Sequence, residues 1–224
     1  MTRVKICGLT REEDVDAVVD AGADAVGFIS GITASPRNLP IARAATLVSR
    51  VPPLVTPVLV TSSEALVENS DVIKRMAPKV IQLYGGLFSP EPIRSSFHSQ
   101  LVRPFAVRRD EGDLGPEAVA NAKHAARGYD ALLLDTFQKG REGGTGLTSD
   151  WRVCADIRRT ISPVPLVLSG GLRPENVEAA IASVGPFCVD VSSGVESSPG
   201  VKDHTKVKAF VSKVARAEGK RVAP

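Results

Sequence analysis

Short apolar runs rich in β-formers alternate with amphipathic helical patterns from one end of this chain to the other, and that alternation limits the fold more than any other feature. Eight runs read as strands: 4–6, 25–29, 57–60, 80–83, 101–107, 131–134, 166–168 and 187–191. Between them, Thr10-x-x-Glu13 reads as a capping box ahead of Val15, Val18, Val19 and Gly22. Pro40, Pro90, Pro116 and Pro174 each suit a first helical position, where a missing N–H costs nothing. Ile41, Ala44, Ala45 and Val48 then form one apolar stripe, Val177, Ala180, Ile181 and Val184 a second, and Val207, Phe210, Val211 and Val214 a third. Dividing 224 residues among eight units leaves 28 for each, close to the minimum for a strand, a helix and two turns. The expected architecture is α/β, a single (β/α)8 TIM barrel over residues 1–224 with a frayed tail in the last few. An open doubly wound sheet is the alternative, but the turn after its first strand should carry a glycine-rich phosphate loop, and here it reads Cys7-Gly8-Leu9-Thr10. Pro104 counts against the fifth strand, because proline removes a ladder donor.

With 43% hydrophobic and 24% charged residues the chain can bury a core, which excludes wholesale disorder. Apolar stretches such as Ala131-Leu132-Leu133-Leu134 are far shorter than the roughly 18 residues a membrane span needs. Arg11, Glu12, Glu13 and Asp14 follow the first strand at once, leaving no apolar secretory segment, so a cytoplasmic location is expected. The net charge of +3 comes from scattered basic residues, not from a stripe interleaved with aromatics, and nucleic acid is not an expected partner. The basic stretch 206–221 reads as a solvated final helix with cations near its C-terminus. Cys7, Cys154 and Cys188 form no C-x-x-C pair and suit a reducing compartment.

In a barrel of this kind the functional face lies at the carboxyl ends of the strands, with phosphate often held after the seventh and eighth. Ser169-Gly170-Gly171-Leu172 and Ser192-Ser193-Gly194 stand at those two places. Glycines there are ordinary turn formers, yet they also let backbone N–H groups approach an anion, and together the two turns point to a small phosphorylated substrate. Cys7 ends the first strand, where it is either a small buried apolar residue or a proton acceptor in its thiolate form. Asp135 closes the sixth strand and is either a cap or loop ligand or a general acid whose pKa apolar neighbours raise. Arg37, after Ser35-Pro36 in the second loop, is either solvated or a two-pronged grip on a carboxylate. Gly143-Gly144-Thr145-Gly146 reads as a closing loop or a close approach of backbone to ligand.

Taken in order, Lys5-Ile6-Cys7-Gly8-Leu9-Thr10, Ser35-Pro36-Arg37, Gln82-Leu83-Tyr84-Gly85, Leu134-Asp135-Thr136, Gly143-Gly144-Thr145-Gly146 with Asp150-Trp151, Leu168-Ser169-Gly170-Gly171-Leu172, Pro174-Glu175-Asn176 and 190–196 (D-V-S-S-G-V-E) resemble the phosphoribosylanthranilate isomerase family. The resemblance implies a (β/α)8 barrel that converts N-(5-phosphoribosyl)anthranilate into 1-(2-carboxyphenylamino)-1-deoxyribulose 5-phosphate. This is an Amadori rearrangement in tryptophan biosynthesis, and the resemblance implies neither cofactor nor metal. It also implies Cys7 as general base, Asp135 as general acid, Arg37 as clamp on the anthranilate carboxylate, and Gly170, Gly171, Ser192, Ser193 and Gly194 as phosphate ligands. Two departures stand out: Tyr84 where the family usually has histidine, and Ser30-Gly31-Ile32-Thr33-Ala34 where it usually has an aromatic-rich stretch. A related isomerase of histidine biosynthesis uses two aspartates, and Cys7 in place of the first argues against it.

Two other functions compete. One is a barrel that binds a phosphosugar without turning it over; the other is a thiol hydrolase, which needs a histidine base, whereas His98, His124 and His204 lie in or beside helical stretches. A monomer or homodimer is expected, with neither nucleic acid nor membrane as partner. Strand alternation adds one expectation independent of the family: Lys5 shares a face with Cys7, Asp190 shares a face with Cys188 and Ser192, and closure makes the first and eighth strands neighbours. Lys5 and Asp190 should therefore form an ion pair beneath the mouth, in which Lys5 either merely satisfies Asp190 or also favours the Cys7 thiolate.

Overall fold

Eight parallel strands hydrogen-bond in sequence order and close on themselves in the computed structural model, which describes residues 1–85, 89–108, 115–137 and 150–221. The strands are Arg3–Cys7, Ala25–Ser30, Thr56–Ser62, Val80–Tyr84, Gln100–Arg108, Ala131–Phe137, Leu166–Leu168 and Cys188–Val191. Pairing of the first with both the second, Cys7 opposite Gly27, and the eighth, Lys5 opposite Asp190, makes the ring a (β/α)8 barrel and not an open sheet. Helices follow the strands: α1 (Glu12–Asp20), α2 (Ile41–Arg50), α3 (Ser63–Glu68), α4 (Ser70–Met76), α5 (Pro90–Phe97), α6 (Gly115–Ala125), α7 (Trp151–Ile161), α8 (Val177–Val184) and α9 (His204–Arg221). No helix among the described residues is long and apolar enough to cross a membrane.

Alternation sorts the strand side chains into two cores. Val4, Ile6, Leu132, Leu134 and Val189 face outward and pack with the helical stripes in the largest cluster. Val177, Ala180, Ile181 and Val184 are all buried in it, as are Val207, Phe210 and Val214; each full burial of a large apolar side chain is worth about 1.5–3 kcal/mol. In α2 the expected Ala44 is fully buried and Ile41 and Val48 are half-buried against the core, while Leu47, outside the expected stripe, is buried and Ala45 only half-buried. Inside the barrel, Cys7, Val58 and Val60 form one cluster, and Ala131, Leu133, Val167 and Cys188 another.

Several local expectations are corrected. Thr10 is not an N-cap: its hydroxyl donates to the Gly200 carbonyl at 2.6 Å, and α1 begins after Arg11 without a side-chain cap. Pro90 does open its helix, but Pro40 is the N-cap of α2, Pro116 is the second residue of α6, and Pro174 lies in the turn before α8. The fifth strand runs through Pro104, which pairs with Leu133 of the sixth. Its pairing with the fourth strand ends at Val102, so the proline falls beyond that ladder. Phe187 precedes the eighth strand and is half-exposed. Two short additions lie at the mouth: Asn38–Leu39 extends the edge of the second strand, and Glu196–Ser198 pairs with Val201–Lys202 as a hairpin.

Candidate active site at the carboxyl face

The first strand ends with its thiol inward. Cys7 is buried, and the backbone opposite is Gly27, where a Cβ would come within 2.7 Å of the Cys7 Sγ. The glycine thus makes the room in which the thiol sits. The chain then turns at Gly8 with φ +77°, and the N–H groups of Gly8 and Leu9 donate to the Gly27 carbonyl at 2.9 and 3.0 Å. A side chain at Gly8 would overlap Arg37 Cδ and approach Ser192 Oγ, so three sequence-selected residues, Cys7, Arg37 and Ser192, converge around this one turn.

Arg37 is held, not solvated. Its loop is tied by Asn38, whose side-chain oxygen accepts from the Ile32 N–H, and by Ser35, whose hydroxyl accepts from the Arg37 N–H. The guanidinium donates from Nε to Glu196 Oε1 at 2.8 Å and from Nη2 to Oε2 at 2.6 Å. Lys202 Nζ donates to the same Glu196 Oε1 at 2.8 Å, and also to the carbonyls of Cys7 and Ser192 at 2.7 and 3.3 Å.

Beneath Cys7, the expected ion pair is present. Lys5 Nζ lies 2.9 Å from Asp190 Oδ1, with both side chains only 6% exposed. The ammonium also donates to Gln82 Oε1 at 3.0 Å, and Ser169 Oγ donates to Asp190 Oδ2 at 3.3 Å. Gln82 Nε2 in turn donates to the Tyr84 hydroxyl at 3.4 Å. Burial is the largest influence on Cys7 and pushes its pKa up; the Lys5 and Lys202 ammoniums pull against it without prevailing. The Lys5 effect therefore has the expected direction, but the thiol remains above its ordinary value.

Asp135 ends the inward-facing series Ala131, Leu133, Asp135, since Leu132 and Leu134 belong to the outer core. Tyr84 lies within the fields of Asp135, Cys7, Lys5 and Asp190; burial first, then the three acidic groups, drive its pKa up against the opposing Lys5, so its phenol stays neutral. The departure at Tyr84 thus stands in the mouth itself. Gly143-Gly144-Thr145-Gly146 lies outside the described residues, as do residues 222–224 of the expected tail.

The two glycine–serine turns pack backbone against backbone, since a Cβ at Gly194 would overlap the Leu172 carbonyl oxygen. Gly170 and Gly171 both have positive φ, and Asn176 fixes the first turn by donating to the Gly171 carbonyl at 2.9 Å while accepting from the Arg173 N–H at 2.9 Å. Ser192 Oγ is buried without a hydrogen-bond partner among the described residues, an orphaned donor that an anion in this corner would satisfy. None of the three histidines stands at the carboxyl end of a strand, where a thiol hydrolase would need its base: His98 caps α5, His124 lies in the last turn of α6, and His204 opens α9 with its ring 2.8 Å from Asp14.

The fold is that of a (β/α)8-barrel enzyme, with the candidate site at the carboxyl face of its strands. The sequence profile of N-(5'-phosphoribosyl)anthranilate (PRA) isomerase matches residues 4–213. The N-(5'-phosphoribosyl)anthranilate isomerase of Haloarcula marismortui is 44% identical over 218 residues, covering 97% of this chain and 98% of that one; the Pseudomonas fluorescens enzyme is 38% identical over 212 residues, 95% and 98% of the two. Among solved structures, phosphoribosyl anthranilate isomerase from Thermotoga maritima superposes with a TM-score of 0.80 at 35% identity, covering 98% of this chain and all of the other. A phosphoribosyl anthranilate isomerase in complex with reduced 1-(o-carboxyphenylamino)-1-deoxyribulose 5-phosphate superposes at 0.77, also at 35% identity, covering 98% and 100%. This chain belongs to the N-(5'-phosphoribosyl)anthranilate isomerase family.

Gly27, Gln82, Glu196 and Lys202 have structural parts at the site that no role in the sequence reading foresaw. A glycine inside a strand does signal a close approach, and Glu196 closes a quoted motif, but nothing local marks Lys202, which reaches the mouth only through the hairpin.

Proposed function

We propose that this isomerase converts N-(5-phosphoribosyl)anthranilate into 1-(2-carboxyphenylamino)-1-deoxyribulose 5-phosphate, a step of tryptophan biosynthesis, with Cys7 as base and Asp135 as acid. The observation that carries this reading is the convergence of Cys7, Arg37 and Ser192 on the Gly8 turn, in a mouth whose inner face also holds Asp135. Asp135 gives its proton to the ribose ring oxygen, the ring C–O bond breaks, and the nitrogen lone pair forms the Schiff base. The Cys7 thiolate then takes the proton from C2′, and those electrons form the enolamine. Protonation at C1′ with loss of the C2′ hydroxyl proton gives the ketone, so one hydrogen has moved from C2′ to C1′.

Arg37 holds the anthranilate carboxylate through the guanidinium edge that Glu196 leaves free. Gly170, Gly171, Ser192, Ser193 and Gly194 hold the phosphate, a role supported by the orphaned Ser192 hydroxyl and the positive-φ glycines. The reading is tested by following loss of substrate fluorescence with an excess of the next pathway enzyme. Turnover supports it; phosphosugar binding without product selects a binding barrel instead.

A further inference from the structure

Arg37 and Glu196 present a difficulty for a carboxylate clamp. Two guanidinium donors, Nε and Nη2, are already spent on the two Glu196 oxygens, so the pair taken alone is neutral and has little attraction left for a second carboxylate. Lys202 changes that count. Its side chain is wholly buried, Glu196 is 5% exposed and Arg37 is 12% exposed, so of the three only Arg37 presents appreciable surface to the mouth. All three ammonium N–H groups are used, on Glu196 Oε1, the Cys7 carbonyl and the Ser192 carbonyl, so Lys202 has no donor left for a ligand. Its backbone is fixed as well, the Lys202 N–H donating to Asp14 Oδ2 at 3.1 Å.

Resting on the isomerase reading, we propose that Lys202 is a positioning residue that neutralises Glu196 from below, so that the Arg37–Glu196–Lys202 triad keeps one net positive charge and displays it to the substrate carboxylate through Arg37. Glu196 fixes the direction of the guanidinium, and Lys202 supplies the charge that this fixing would otherwise cancel. The same ammonium ties the clamp to the backbone of the catalytic thiol and to that of the phosphate turn. The three parts of the site therefore share one buried cation.

The charge count makes the test sharp, because Lys202→Met leaves the triad neutral whereas Glu196→Gln with Lys202→Met restores one positive charge without restoring the ammonium. In Lys202→Met, KM for N-(5-phosphoribosyl)anthranilate should rise at least about tenfold, with kcat within about fivefold of wild type. The double variant should return KM to within about threefold of wild type. Anthranilate itself, titrated by its own fluorescence, should show the same loss and recovery. That readout needs no turnover, so failure of the isomerase reading and failure of this inference remain distinct. If Lys202→Met does not fold, the double variant, which removes the buried carboxylate together with the buried ammonium and leaves its one charge on Arg37 at the mouth, decides alone: near-normal KM supports the inference and a tenfold rise overturns it. An unchanged KM in Lys202→Met overturns it too. So does an equal fall of kcat in both variants with KM constant, which would mean that Lys202 only braces the two carbonyls.

Discussion

Replacing Lys5 by methionine keeps most of the buried stem and removes the charge, so Asp190 would be left in the barrel with only the Ser169 hydroxyl at 3.3 Å. Breaking one side of a buried pair costs about 3–5 kcal/mol, because the survivor stays desolvated. For a protein of this size each kcal/mol moves Tm by roughly 2–4 °C, which gives a fall of about 6–20 °C. The loss should be the same at pH 6 and pH 9. Burial alone would lower the Lys5 pKa, but Asp190 outweighs it and the net shift is upward. A group whose folded pKa is raised contributes fully below its unfolded value of about 10.4, so neither pH touches it. A second effect falls on Cys7. Burial already raises its pKa and Lys5 opposes that, so without Lys5 the pKa rises further. The acid limb of kcat/KM should move to higher pH, with about tenfold less thiolate per pKa unit on that side. Thermal unfolding at the two pH values and a pH–rate profile read both effects. A Tm within about 2 °C of wild type refutes the energetic argument, and an unshifted limb refutes the tuning.

Gly27→Ala should be damaging despite its small size. The added Cβ would lie 2.7 Å from Cys7 Sγ, about 0.7 Å inside ordinary contact; overpacking of this kind costs about 1–3 kcal/mol and moves the thiol, with kcat/KM falling on the order of 10²-fold. Normal melting and turnover would contradict it. Arg37→Ala should raise KM far more than it lowers kcat, because a clamp holds ground state and transition state alike; a pure kcat effect in steady-state kinetics would put Arg37 in the chemical step. Inorganic phosphate or sulfate should compete with substrate and occupy the Gly170-Gly171 and 192–194 turns in a crystal soak. Density elsewhere with these turns empty would count against that assignment.

What could be read from the sequence was whatever a local pattern imposes through geometry. Alternation placed Lys5 and Asp190 on inward faces, and ring closure then made them partners, both of which the structure bears out. The α8 stripe was legible for the same reason, since four apolar residues at helical spacing have one face to bury. Capping was not, because the Thr10 hydroxyl had a competing acceptor 190 residues away in Gly200. Pro104 misled because the damage proline does depends on where the neighbouring ladder ends, which a single strand cannot show. Lys202 stayed hidden for a similar reason: its three acceptors belong to residues 7, 192 and 196, and only the folded hairpin brings them to one ammonium.

Whether Cys7 and Asp135 move the protons of the isomerisation is decided by kcat of Cys7→Ser and Asp135→Asn in the coupled fluorescence assay. Each substitution removes a proton-transfer group worth roughly 10² to 10⁴ in rate, so turnover should fall by at least about a hundredfold while melting stays near that of wild type. Near-normal turnover in either folded variant would mean that the substituted residue does not carry its proton.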